Sequence, residues 1–199
     1  METPITTICL VRHGETDWNF TRRYQGQTDI PLNPVGLAQA ENVARIIAAE
    51  PAWDVIVSSP LSRALQTAQT IAGATGIDPI RLEPDIRERG YGDAEGLTLE
   101  EREARWSGTD WPNLEPYEAM QLRGVAALDR IATDHAGLRV LVVCHGGLMN
   151  AVLAYHTGGE HGTGVTVILN TARSTLTHAN GAWTIETVTD AGHLELALR

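Results

Sequence analysis

The chain has 199 residues, 43% of them hydrophobic and 20% charged, with a formal net charge of −10. That length supports one substantial core and is short for two, so a single domain over residues 1–199 is expected. The acidic balance argues against a nucleic-acid or membrane-surface binder, which needs a basic face. No apolar run comes near the ~20 residues that span a bilayer, and residues 1–9 lack the charged-then-apolar pattern of a signal peptide. Cys9 and Cys144 each sit in an apolar run and read as packed, reduced thiols, which fits a cytoplasmic protein.

Apolar runs alternate with helical periodicity. Ile5–Val11 reads as the first strand, and Val55–Val57, Ile80–Leu82 and Val140–Val143 follow; all barely alternate, the pattern of strands buried on both faces. Asn33-Pro34 puts a capping side chain before a proline at the first helical position, and Leu37, Ala40, Ala44 and Ile47 then share one face. Ser59-Pro60 repeats the device ahead of Leu61, Ala64, Leu65, Ala68 and Ile71. A longer helix is expected from Tyr117 to His135 on the stripe Leu122, Val125, Leu128 and Ile131, and another after Gly146-Gly147. Gly158–Gly164 reads as a connecting loop. Val165–Leu169, Ser174–Thr177 and Trp183–Val188 look like strands, the last two joined by the hairpin signal Asn180-Gly181. The order predicts an α/β fold: a three-layer αβα sandwich whose mostly parallel sheet carries a C-terminal antiparallel hairpin.

Four segments carry chemistry. Arg12-His13 stands where an apolar strand gives way to Gly14, with Asn19 just beyond. Ser58-Ser59-Pro60-Leu61-Ser62-Arg63 puts an arginine in the first turn of a helix. Arg87-Glu88-Arg89-Gly90-Tyr91-Gly92 flanks a carboxylate with two arginines, and Cys144-His145-Gly146-Gly147 is a second strand-to-helix turn. Parallel strands that each feed a helix emerge on one edge of the sheet, so Arg12, His13, Ser59–Arg63 and His145 can converge there. Helix N-termini on that edge aim N–H groups at an anion. An imidazole beside a permanent guanidinium suits a nucleophile directed at phosphate.

These blocks resemble those of the histidine phosphatase superfamily, which includes cofactor-dependent phosphoglycerate mutases and many small-molecule phosphatases. The match comprises Arg12-His13-Gly14-Glu15-Thr16 with Trp18-Asn19, Arg23-Tyr24-Gln25-Gly26-Gln27-Thr28-Asp29, Ser58–Ala64 and Val143–Gly147. It runs in order from Ile8 to His193-Leu194. The resemblance implies that His13 is a nucleophile forming a phosphohistidine and that Glu88 is the proton donor and acceptor. It implies that Arg12, Arg63 and His145 hold the phosphoryl oxygens with help from Asn19, and that Gln25, Gly26, Tyr91 and Gly146 contribute to substrate binding. No cofactor and no metal are implied, and the partner is a small phosphorylated metabolite, not a nucleic acid or a membrane. One departure is Asn113-Leu114-Glu115-Pro116, where the family often has Gly-Gly-Glu-Ser.

Three other readings compete with a phosphatase. A mutase shares the phosphohistidine but must retain a bisphosphorylated intermediate under a closing lid. Residues 89–117, the expected lid, hold three arginines against seven acids, a balance of 3 − 7 = −4, and only 56 residues lie between Glu88 and His145. Tyr91, three residues after the acid, also occurs in mutases. A metal-dependent hydrolase using His13, His145 and Glu88 would place a cation beside Arg12 and Arg63, which is electrostatically costly. A non-catalytic phosphate-binding module would be expected to have lost the nucleophile or the acid. Elsewhere, His135 reads as a helix end, and His156, His161 and His178 as solvated. Arg102, Glu103 and Arg105 read as a solvated helix face, and Trp106 and Trp111 as core or lid packing.

Overall fold

A computed structural model describes residues 4–192; His193 and Leu194, where the resemblance ends, lie outside the described residues. Among the described residues six strands form one sheet: β1 (Thr6–Arg12), β2 (Val55–Ser58), β3 (Arg81–Leu82), β4 (Arg139–Cys144), β5 (Arg173–Ala179) and β6 (Ala182–Asp190). Their spatial order is β3-β2-β4-β1-β5-β6. The first four pair in parallel, and the β5–β6 hairpin joins β1 antiparallel. Its turn is Asn180-Gly181, both at positive φ, as a type I′ hairpin requires.

Both faces of the sheet are covered, which explains why β1 and β4 do not alternate. Ile8, Leu10, Val140 and Val142 pack with α5 (Tyr117–Asp134) and α6 (Gly146–His156). Cys9, Val11, Leu141 and Val143 pack on the other side with α2 (Pro34–Ala49) and α3 (Ser62–Thr75). Each fully buried aliphatic side chain contributes roughly 1.5–3 kcal/mol, so the central strands supply a large share of the stabilising burial. Both cysteines are free and buried. Two short helices, α1 (Asp17–Phe20) and α4 (Leu99–Arg105), lie in the connecting segments. Among the described residues no helix is long and apolar enough to cross a membrane.

Several expectations are corrected. β3 is two residues long and exposed on both, because it is the edge strand beside β2. Val165–Leu169 is not a strand: β5 takes the place beside β1, and Val165 and Val167 face outward. Asn33 caps α2 as expected, accepting from Gly36 N at 2.8 Å. Ser59 does not cap α3, which starts at Ser62 after an uncapped Leu61. Leu37 is exposed, since the buried arc of α2 centres on Ala40, Val43 and Ile47. Leu122 is 60% exposed. Steps of three residues drift by about 60° each on a helix of 3.6 residues per turn, so a stripe from Leu122 to Ile131 ends on the opposite side from where it began. The buried face of α5 instead runs through Met120, Gly124, Ala127, Leu128 and Ile131.

Leu128→Ala is therefore expected to cost about 2–5 kcal/mol, and Leu122→Ala to stay within about 0.5 kcal/mol of the parent protein. Urea unfolding of the two variants measures this directly; similar losses in both would contradict the assigned face of α5.

Candidate active site

The C-terminal ends of β2, β4 and β1 bring the chemistry together. Register pairs Arg12 with Cys144 and Ser58 with Val143, so His13, His145 and Ser59 each follow the last residue of an adjacent parallel strand. His13 N donates to Cys144 O at 3.1 Å, extending the ladder by one step. The loop after His13 is pressed against α2 through two glycines. A Cβ on Gly14 would lie 2.4 Å from Gly36 O, and one on Gly36 would lie 2.0 Å from Glu15 O. Neither position admits a side chain, so α2 fixes the height of His13 over the sheet edge.

His13 is buried, and its Nδ1 lies 2.7 Å from Gly14 O. A carbonyl can only accept, so Nδ1 carries the proton and Nε2 keeps its lone pair. Burial, then the guanidinium groups of Arg63 and Arg12, hold the His13 pKa well below the usual histidine value. The ring is therefore neutral at physiological pH. His145 is buried beside it, ring centroids 5.2 Å apart, with Nε2 2.8 Å from Ser59 Oγ and, among the described residues, no partner for Nδ1. Burial, then Arg63, lowers its pKa in the same way.

The guanidinium of Arg63 is fully buried, donating to Gly26 O at 2.7 Å and Thr28 O at 3.0 Å. Arg12 donates to Ile168 O at 2.6 Å. The segment Val165–Leu169 thus gives the site a backbone carbonyl instead of forming a strand. Burial lowers the pKa of both arginines, opposed by the negative charge of Glu88, yet arginine stays protonated in proteins.

Glu88 lies on the N-terminus of α6. Its carboxylate accepts from Gly147 N at 2.9 Å, Leu148 N at 3.1 Å and Arg89 N at 2.9 Å. A Cβ on Gly147 would sit 2.5 Å from Glu88 Oε1, so only glycine permits this approach. The N–H groups expected to face a ligand are taken here by the chain's own carboxylate.

A cavity of about 290 Å³ opens above these groups. Arg12, His13, Asn19, Gln25, Gly26, Arg63, Glu88 and Tyr91 line it, and His145 and Gly146 do not. The Asn19 and Gln25 side-chain oxygens accept from Thr16, which leaves their amide nitrogens for the cavity. Tyr91 meets Tyr24 edge-on at 5.0 Å, and burial followed by Glu88 raises its phenol pKa, so it remains a donor.

Sequence reasoning missed the residues that hold these walls in place. Arg123 on α5 donates to the carbonyls of Asp85, Arg87 and Glu88 at 2.7, 2.7 and 2.8 Å. It also grips Glu115 Oε1 at 2.7 Å, while Glu115 Oε2 accepts from Gly90 N at 2.8 Å. One guanidinium thereby fixes the loop that carries Glu88. The available signal was a cation inside the apolar arc between Met120 and Ala127. Glu95 does the same for the opposite wall, accepting from Gln27 N, Tyr91 N and Thr28 N at 2.9, 3.0 and 2.8 Å. Arg102 is not solvated: it is 8% exposed, stacks 5.0 Å from Trp111 and donates to Gly108 O. His156 and His178 are half-buried against Trp183, not solvated, and His178 lies in β5.

Comparison with known proteins shows the family to which the chain belongs. The model of the "Histidine phosphatase superfamily (branch 1)" matches residues 8–191. The chain is 38% identical over 190 residues to the "uncharacterized phosphatase PhoE" of Bacillus subtilis (strain 168), covering 96% of this chain and 97% of that protein. It is 33% identical to the "metal-independent phosphoserine phosphatase" of Arabidopsis thaliana, covering 98% and 85%. Among solved structures, Bacillus stearothermophilus YhfR superposes with a TM-score of 0.87 at 28% identity, covering 95% of this chain and 99% of that one.

The two buried histidines set a pH dependence. Below the ordinary value of 6.5 the unfolded chain takes up protons that the folded chain refuses, so stability falls with pH. The slope is up to roughly 1.4 kcal/mol per pH unit for each histidine, from pH 6.5 down to the depressed folded values. Urea titrations across that window should show it, and His145→Gln should remove about one proton from the slope. An unchanged slope in that variant would show that His145 is not held neutral.

Proposed function

The chain belongs to the histidine phosphatase superfamily, and we propose that it is a phosphomonoesterase that hydrolyses a small phosphorylated metabolite through a phosphohistidine on His13. The observation that carries this reading is a buried, neutral imidazole with its Nδ1 proton committed to Gly14 O and two buried guanidinium groups beside it. A neutral imidazole is nucleophilic without losing a proton, and flanking cations draw in and neutralise the phosphoryl oxygens.

In the proposed reaction the dianionic phosphate of the substrate, arriving beside Glu88, favours uptake of a proton from solvent by that carboxylate. His13 then attacks phosphorus as the bond to the alcohol oxygen breaks, and Glu88 gives that oxygen the proton. Water then attacks phosphorus, Glu88 takes a proton from it, and the P–N bond breaks to release phosphate and free His13. Arg12 and Arg63 hold the equatorial oxygens, Asn19 and Gln25 offer amide donors, and Gly26 and Tyr91 shape the walls. His145, whose ring lies beside that of His13 with centroids 5.2 Å apart, has an Nδ1 with no partner among the described residues and would meet a bound phosphoryl group through it. Phosphoryl transfer needs mainly positioning and charge neutralisation, which the arginines supply without a metal. The name of the Arabidopsis relative supports that reading. The free thiols fit a cytoplasmic site of action.

Water is the preferred acceptor over a second phosphometabolite. The segment 89–117 carries the balance of −4 counted above and is short, whereas a mutase has to hold a bisphosphorylated intermediate away from water.

His13→Ala should abolish turnover, and brief incubation with a labelled phosphomonoester should leave label on His13 of the parent protein. Glu88→Gln should suppress alkyl phosphates far more than an activated aryl phosphate, whose leaving group needs no proton. Arg63→Ala should lose about 10²–10³ in rate, and the exposed Arg105→Ala little. Excess chelator should leave activity in place. Interconversion of phosphoglycerate isomers faster than phosphate release would make the protein a mutase, and retained activity in His13→Ala would overturn the nucleophile.

A further inference from the structure

We propose that Arg22 is a specificity-determining residue, which selects phosphomonoesters whose leaving portion carries a carboxylate. The inference rests on the phosphatase reading above and adds the substrate class to it.

Arg22 occupies a position where the backbone prefers glycine. α1 ends at Phe20, and Arg22 N donates to Asn19 O while Arg23 N donates to Trp18 O, at 3.1 and 2.8 Å. That is the hydrogen-bond pattern of a Schellman motif, with Arg22 at the left-handed position. Its φ is +55°, a conformation most non-glycine residues avoid. A long cationic side chain kept at such a site points to a use for the side chain.

The surroundings say what that use is. Arg22 lines the mouth of the catalytic cavity. Together with Leu99 it also lines an adjoining hollow of about 290 Å³ formed with Thr21, Thr98 and Glu100. A substrate whose phosphate rests on Arg12 and Arg63 would direct its leaving portion toward this rim. Arg23, its neighbour, is already spoken for by Glu101 at 2.9 Å and Gly96 O at 2.7 Å. Arg22 makes no ion pair and no side-chain hydrogen bond among the described residues, in a chain of net charge −10. One unpaired guanidinium complements one monoanion. A second phosphoryl dianion would bring twice the charge up to an acidic covering segment, so a carboxylate is the better match.

The test compares kcat/KM for pairs that differ by the carboxylate: O-phosphoserine with O-phosphoethanolamine, and 3-phosphoglycerate with glycerol 3-phosphate. The parent protein should favour the acid in each pair by roughly 10- to 100-fold, the worth of one charged hydrogen bond. Arg22→Gly and Arg22→Gln should bring the ratio close to one, and Arg22→Lys should retain part of it. Arg22→Gly should also raise the Tm, by about 2–4 °C, because glycine suits the backbone there. Specificity lost while stability rises is not a signature of a structural residue. Equal kcat/KM within each pair for the parent protein, or an unchanged ratio in Arg22→Gly, would overturn the inference. Failure of the parent protein to hydrolyse any of these or p-nitrophenyl phosphate would overturn the phosphatase reading itself, and this inference with it.

Discussion

Two guanidinium groups buried around a neutral imidazole are the constraint to which the rest of the site answers. Removing cations from water is expensive, by several kcal/mol each even after relaxation, and no carboxylate forms an ion pair with Arg12 or Arg63 among the described residues. Backbone carbonyls compensate instead: Ile168 for Arg12, Gly26 and Thr28 for Arg63. Neutral dipoles leave the positive charge available to an anion, whereas a paired carboxylate would have cancelled it. This explains why the segments around residues 26–28 and 165–169 are irregular. Their carbonyls are turned toward the arginines and cannot also serve a ladder.

The same economy of charge governs the acids. A chain this acidic would repel phosphate if its carboxylates faced the cavity freely. Glu95 and Glu115 are instead tied into the walls by N–H groups and by Arg123, and Glu101 is tied to Arg23. These acidic residues of the segment 89–117 are thus held in fixed places in its walls. Several of those charges are structural fasteners, and the loop bearing Glu88 is rigid because of them.

Much of the arrangement was legible in the sequence because it depends on strand ends. Two-sided burial of β1 and β4 removes alternation, a glycine or a capping residue marks each exit, and parallel pairing then forces Arg12, His13, Ser59 and His145 onto one edge. What was not legible depends on side chains reaching across the fold. Ser59 looked like a helix cap and instead meets His145, 86 positions away in the chain. Arg123 went unremarked on α5, and its partners are carbonyls some 35 positions earlier. Leu122 was misplaced for a simpler reason: a stripe drawn in steps of three slides around the helix. Local pattern specifies which face of an element is apolar only when steps of three and four are balanced.

The hydrogen bond between His13 Nδ1 and Gly14 O has a consequence for the lifetime of the intermediate. Were His13 phosphorylated, as proposed, the ring would enter the reaction with that proton in place and the adduct would be an N-phosphoimidazolium, not a neutral phosphoramidate. Its departure would regenerate neutral imidazole, a far better leaving group than an imidazolate anion. The carbonyl of Gly14 can only accept, so it would secure the proton throughout. The bond that orients the ring would then also keep such an adduct labile, so that it could not persist as a stable phosphoprotein.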